Sequence, residues 1–464
     1  MVFSSLTFLF AFLPITLIGY YALPQKAKIG FLLLVSLVFY AWGEPLYVAL
    51  MIGSIVVNWV IGLLMDRSAR HKKAYLVLSV VLNLALLFVF KYTGLFWNTI
   101  KGIFPAPLSL KTVSIRLPIG ISFFTFQIMS YVIDLYRGKT EVQRNPIKFG
   151  AYVTMFPQLI AGPIVRYVDV EAQLDHPDLS IDSIADGVRQ FLVGLSKKVL
   201  IANAMGVLWA QLSATPASNG VLGSWVGIIA YSFQIYFDFS GYSDMACGLG
   251  RMLGFRFMQN FNHPYIADSV TDFWRRWHIS LSTWFREYVY IPLGGNRKGL
   301  PRQILNLLIV WALTGLWHGA SWNFVVWGMY YGVLLTFEKL FFGKMLEKLP
   351  KVVRCLLTFL IASIGWGIFY FTDFSALGVY FGSLIGIGNS GILTPTSGAW
   401  CLGYLPMLLL AAVAATPLGA FAAAKLERFR WFKPVRLCAC VVLFLLCIAS
   451  LASQSYNPFI YFRF

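Results

Sequence analysis

The segment Asp272–Tyr290, DFWRRWHISLSTWFREYVY, brings together residue types that could do chemistry on a phosphate-bearing ligand. Trp274, Trp277, Leu281, Trp284 and Tyr288 recur at spacings of three and four, which predicts one face of a continuous amphipathic helix. Arg275, His278, Ser282 and Arg286 make a second stripe on another side. Arginine suits bidentate phosphate contacts, and an imidazole can hydrogen-bond a carbonyl or shuttle a proton. Read as an interfacial anchor, the same stripe is only a solvated arginine face; the histidine among the arginines weakens that reading.

A second histidine, His318, closes the apolar run QILNLLIVWALTGLWHGA (303–320). Between the two, IPLGGNRKGLPR (291–302) ends the first helix at Pro292, Gly294 and Gly295 and turns the chain. The arm from His278 to Pro292 and the arm from Gln303 to His318 are nearly equal, each roughly 21–23 Å at helical rise. A hairpin therefore returns His318 to nearly the depth of His278. An ionisable residue in a spanning segment is expensive and is a site candidate on that ground, although a hydrogen-bonded core role fits a lone histidine too. Gly315 and Gly319 flank His318 and leave room for a substrate or for close helix packing, while Trp317 and Trp322 are placed to wall a site.

Lipid must position these residues. Of the 464 residues 58% are hydrophobic and only 12% charged, too little polar surface for a water-soluble body of this size. The net charge of +18 comes from short basic clusters between apolar runs, the pattern of cytoplasmic loops and lipid-headgroup contacts and not of a nucleic-acid-binding face. The six cysteines show no paired metal-ligand spacing. The apolar start, Val2–Tyr21, lacks a basic n-region and a cleavage site, so it reads as a first span.

At about 20 apolar residues per crossing, spans are expected near 3–22, 29–43, 45–65, 74–97, 117–136, 187–211, 222–247, 303–318, 321–342, 352–372, 404–424 and 436–453. The pieces 149–165, 274–291 and 376–388 are too short or polar and read as re-entrant or interfacial. The expected fold is all-α: a polytopic bundle of about 11–13 spanning helices plus such pieces, forming a single membrane domain with its working core at 117–342 and plain helices at 352–453. Basic links at RSARHKK (67–73) and RGKTEVQRNPIK (137–148) place the N-terminus outside the cytoplasm, with Lys101, Lys111 and Arg116 as exceptions on the other side.

Further polar groups interrupt apolar sequence. YFDFSGYSDMA (236–246) carries Asp238, Ser243 and Asp244, and Asp238 needs a partner that the surplus of arginine could supply; ion pairing and substrate positioning both fit. Gln127, Asp134 and the break FPQLIAGPIVR (156–166) put polar groups and kinks at membrane depth, tolerated where backbone lines a cavity. No Walker A sequence, dinucleotide fingerprint or HExxH is present, no metal cluster is evident, and no internal repeat of a transporter type stands out.

These stretches, with MVFSS (1–5), LPIGISFFTFQIMSYVIDLYRG (117–138), MFPQLIAGPIVRY (155–167) and GLWHGA (315–320), resemble the membrane-bound O-acyltransferase family, and its alginate O-acetylation branch more than its teichoic-acid D-alanylation branch. The resemblance implies a helical bundle around a tunnel, His318 as the catalytic histidine and His278 as the second characteristic one. It implies O-acetyl transfer from a cytoplasmic acyl thioester such as acetyl-CoA, used as co-substrate with no bound cofactor or metal, to an exopolysaccharide or other cell-envelope polymer. The transfer is direct or passes through an extracytoplasmic acetyltransferase of SGNH, AlgJ or AlgX type, with membrane lipids around the chain and no nucleic acid. On charge and position, Arg275, Arg276 and Arg286 would hold the donor phosphates, with Ser282, Trp317, Asp238, Ser243, Asp244 and Gln127 as further substrate-binding candidates. D-alanyl transfer from a carrier protein, a transporter or flippase, and a non-catalytic scaffold are the rival readings.

Overall fold

The computed structural model describes residues 1–103, 115–453 and 459–460; Lys111 lies outside them. The described residues are helical with turns and extended links and contain no strand. Among the described residues ten helices are long and apolar enough to cross a membrane, and Phe8–Ala22, Ile121–Tyr136 and Phe374–Leu384 are shorter apolar helices. The protein is a multi-pass, all-α membrane protein. Helices dominate because a chain in lipid must satisfy every backbone amide within itself.

One expected span moves. The helix expected at 404–424 runs instead from Pro395 to Ala414, and Leu418–Leu426 is a separate short helix. Thr394 opens the longer helix, its hydroxyl accepting from the Ser397 amide at 3.3 Å. Thr416 precedes Pro417, whose ring disfavours helix in the residue before it.

The chain forms two compact units, Met1–Phe191 with Ser243–Met258, and Leu192–Tyr242 with Gln259–Phe464. In the first, polar side chains in apolar helices pair with one another: Asn58 Oδ1 accepts from Ser79 at 2.6 Å and from Asn83 at 2.9 Å. Phe8, Phe12, Phe39 and Phe156 pack ring on ring. The Phe156 amide donates to Ser36 Oγ at 3.1 Å, fixing the 156–166 break to a spanning helix. Gln127 and Asp134 are buried on Ile121–Tyr136.

The second unit contains both histidines. Leu300–His318 and Trp322–Phe337 form a tight antiparallel pair whose closeness has a named cause. A Cβ on Gly315 would lie 2.2 Å from the Phe324 carbonyl oxygen, and one on Gly328 would lie 2.3 Å from that of Trp311. Only hydrogen side chains let backbones approach so far. Gly319 behaves alike, since its Cβ would meet the Phe324 ring at 2.2 Å. The glycines around His318 thus serve helix packing, not room for a substrate.

Asp238 is held as an ion pair, and its partner is a lysine, not an arginine. Lys198 Nζ lies 2.7 Å from Asp238 Oδ1, both side chains being 3% exposed, and the Ile460 amide donates to Oδ2 at 2.8 Å.

A leucine at Gly315 or Gly328 should push this helix pair apart at a cost of about 1–3 kcal/mol, in the range of core overpacking. The check is the thermal midpoint of the purified protein in detergent. Gly403→Ala, where nothing lies within 4 Å of the added carbon, should leave that midpoint in place.

Candidate active site

His278 does not lie within a continuous helix. Val270–Arg276 and Ile279–Phe285 are separate short helices, and His278 between them adopts the left-handed conformation with φ 46° and ψ 54°. That conformation costs a non-glycine residue roughly 1–2 kcal/mol, so something must hold it. The extended segment 260–262 does so. Asn262 N donates to Arg276 O at 2.9 Å, and Ile279 N donates to Asn260 O at 3.0 Å, supplying the hydrogen bonds that the helix gives up at the break.

The same segment fixes the imidazole. Asn260 Oδ1 accepts from the Ser280 amide at 3.1 Å and from the Ser280 hydroxyl at 2.9 Å. A backbone N–H can only donate, so this atom is the amide oxygen. His278 Nδ1 lies 3.2 Å from it and must therefore carry the proton, leaving Nε2 with a lone pair. Burial pushes the imidazole's proton affinity below its ordinary value, which keeps the ring neutral. The neutral Nδ1–H tautomer is the form that can take a proton or accept a hydrogen bond at Nε2.

The hairpin brings His318 to this residue. The two rings are 6.4 Å apart and both are buried. Trp317 lies against both, 5.9 Å from His278 and 5.1 Å from His318, and Phe239, Trp327 and Phe369 complete an aromatic surround. Trp322, expected to wall the site, is instead 51% exposed. Among the described residues no cluster of three or more histidine, cysteine or carboxylate groups could hold a metal.

A cavity of about 660 Å³ reaches His278. Gln303, Leu307, Val310, Trp311 and Thr314 line it from one face of Leu300–His318, along roughly 16 Å of helix. His318 is the next residue on that face, one turn beyond Thr314. His278 is itself part of the wall. The rim carries Arg275, Arg286 and Lys339, all exposed, while Trp274, Leu281, Phe285 and Trp311 make a buried apolar interior. Glu338, also on the wall, is engaged by the amides of Val270 at 2.7 Å and Thr271 at 3.1 Å. The cavity thus carries three cations, exposed Glu347 and the amide-bound Glu338, an apolar stretch and the imidazole of His278; of the cations, Arg286 also meets Glu287 at 3.1 Å.

Of the residues expected here, His278, His318, Trp317, Arg275, Ser282 and Arg286 come together in this way. Ser282 Oγ donates to the Trp274 carbonyl at 3.4 Å. Arg276 turns to Asp272, at 2.8 Å, and lines a different cavity. Asp238 is occupied by Lys198. Gln127, Ser243 and Asp244 lie in the first unit, Asp244 accepting from Gln190 at 3.4 Å. Asn260, Glu338 and Trp327 were missed. Nothing in the sequence marks them, because their partners lie 18 to 68 positions away or across a helix pair.

A sequence model of MBOAT, the membrane-bound O-acyltransferase family, matches residues 60–348. The chain is 39% identical to the probable alginate O-acetylase AlgI of Pseudomonas putida, over the full length of both. It is 36% identical to the peptidoglycan O-acetyltransferase of Helicobacter pylori, over 80% of this chain and 77% of that one. The teichoic acid D-alanyltransferase of Bacillus subtilis is 28% identical over 54% of this chain and 68% of its own.

If Asn260 sets the tautomer of His278, ¹⁵N-histidine NMR of the purified protein should show one ring protonated at Nδ1. Asn260→Ala should remove that signature or mix it with the Nε2–H form. An unaltered spectrum in a folded Asn260→Ala protein contradicts the assignment.

Proposed function

Because the chain belongs to the membrane-bound O-acyltransferase family, we propose that its 660 Å³ cavity receives an acyl thioester of the acetyl-CoA kind and that His318 and His278 transfer the acyl group to a hydroxyl. The protein is a membrane O-acetyltransferase acting on a cell-envelope polymer. What supports the assignment of the chemistry to this cavity is one geometric fact: buried His278 is part of its wall, and the buried imidazole of His318 lies 6.4 Å from that ring.

The slot suits a long, slender donor. Arg275 and Arg286, with Lys339, offer charge-assisted hydrogen bonds to phosphates at the rim, and the apolar stretch past Trp274, Leu281 and Trp311 takes the arm that ends in the thioester. The mouth belongs to the end of Leu300–His318 that follows the basic loop 291–302, the side expected to face the cytoplasm. The protein then sits in the cytoplasmic membrane with its N-terminus outside.

In the reaction, His318 accepts the proton of the acceptor hydroxyl as its oxygen attacks the thioester carbonyl carbon. The tetrahedral intermediate collapses by breaking the C–S bond. The thiolate leaves and takes the proton back from His318, so an ester and a free thiol are the products and the enzyme is unchanged. Neutral His278, with its lone pair at Nε2, orients the donor or relays that proton. The rings of Trp317, Trp327 and Phe369 keep water from the thioester and disfavour hydrolysis. The acceptor hydroxyl belongs to the polymer itself or to an extracytoplasmic acetyltransferase that hands the group on. The acyl group is acetyl, as the names of the alginate O-acetylase and peptidoglycan O-acetyltransferase relatives have it.

His318→Ala should lower release of free thiol from labelled acetyl-CoA about 10²–10⁴-fold, the usual share of a general base, in a protein that elutes and melts normally. Undiminished turnover by folded His318→Ala removes the base from the mechanism and reopens transport as the function. Arg275→Ala and Arg286→Ala should raise KM for acetyl-CoA about tenfold or more and leave KM for a short thioester without phosphates unchanged.

A further inference from the structure

A second cavity of about 710 Å³ in the same unit shares Arg275 with the first but has a different make-up. Lys351, the first residue of Lys351–Tyr370, is on its wall, and so are Ala415 and Thr416, just past the end of Pro395–Ala414. Both helices are long and apolar enough to cross a membrane. The cavity therefore lies where one span begins and another ends, at the level of lipid headgroups. Leu356 and Phe359 continue its wall one to two turns along the helix, roughly 8–12 Å from Lys351 toward the bilayer interior. The small side chain of Ala412 keeps the facing helix from filling the space.

The charges are unequal. Arg276 is paired with Asp272 at 2.8 Å, and Asp268 is taken by Arg354 at 3.2 Å. Among the described residues, Arg275 and Lys351 have no carboxylate partner in an ion pair, so two positive charges remain for an anion. The flanking links 343–351 and 415–431 each carry three basic residues against one acidic one, the bias of loops that face the anionic cytoplasmic leaflet.

We propose that this cavity binds one anionic phospholipid of the surrounding bilayer, its phosphate on Lys351 and Arg275 and an acyl chain along Leu356 and Phe359. A soluble phosphate ligand would have no use for that apolar wall. A zwitterionic lipid would match the wall but not the charge. Through Arg275 the lipid headgroup touches the rim of the neighbouring cavity, so the two ligands meet at one guanidinium. The inference stands on charge and position and does not depend on the acyl-transfer reading.

The test uses the full chain, purified in detergent and stripped of lipid, with native mass spectrometry counting what is retained. Phosphatidylglycerol should bind, phosphatidylcholine with the same chains should bind about tenfold more weakly or worse, and inorganic phosphate should not displace the bound lipid. Lys351→Glu and Ala412→Trp should each weaken phosphatidylglycerol retention about tenfold at an unchanged thermal midpoint. Should the tryptophan variant fail to fold, Lys351→Gln with its smaller change decides the matter. Equal retention of the two lipids, displacement by inorganic phosphate, or phosphatidylglycerol binding untouched by the folded variants overturns the proposal.

Discussion

The helix break at His278 is the constraint on which the candidate site depends. Had Val270–Tyr290 stayed one helix, His278 would sit on a stripe with the arginines, at whatever angle that helix gave it. The left-handed residue redirects the chain, and it is affordable only because the 260–262 segment takes up the freed backbone groups and Asn260 grips both the Ser280 amide and the imidazole. One asparagine oxygen therefore fixes backbone path, ring position and tautomer together. Such strain at a functional residue is stable only when its surroundings over-determine it.

The second histidine depends on a different force. Leu300–His318 and Trp322–Phe337 touch backbone to backbone through Gly315 and Gly328. In lipid there is no hydrophobic gain from bringing helices together, so close packing and dispersion must supply the attraction. That contact delivers His318 into the ring of Trp317, Trp327 and Phe369 at a depth where Leu300–His318 also lines the cavity. The polar chemistry of the site is thus borne by a tightly packed apolar scaffold.

Charge in the second unit is sorted by the same economy. Deep in the unit, Asp238 and Lys198 neutralise each other, as buried charges must. Nearer the helix ends, Arg276, Arg354 and Arg286 are matched by Asp272, Asp268 and Glu287, and Arg275 and Lys339 stand exposed on the cavity wall.

Much of this was legible beforehand. Apolar run length alone gave most of the spanning helices, because bilayer thickness is a ruler that any sequence must obey; it gave too many, since the runs at 3–22 and 117–136 form only the shorter helices Phe8–Ala22 and Ile121–Tyr136. The equal arms on either side of Pro292 foretold that His278 and His318 would share a depth, since helical rise is constant. Composition excluded a soluble fold. Three things were not legible. The break at Trp277–His278 carries no glycine or proline, so only the presence of Asn260 alongside decides it. The role of Gly315 could not be settled between space and contact until Phe324 was seen to occupy the gap. The partner of Asp238 was sought among nearby arginines and found in Lys198, forty residues earlier. The sequence by itself determined what is local or periodic, namely which segments cross, how deep a residue lies and which residue types a helix face carries. The tertiary structure decided what depends on a neighbour distant in the chain, because a hydrogen bond or a backbone contact between remote residues leaves no period to read.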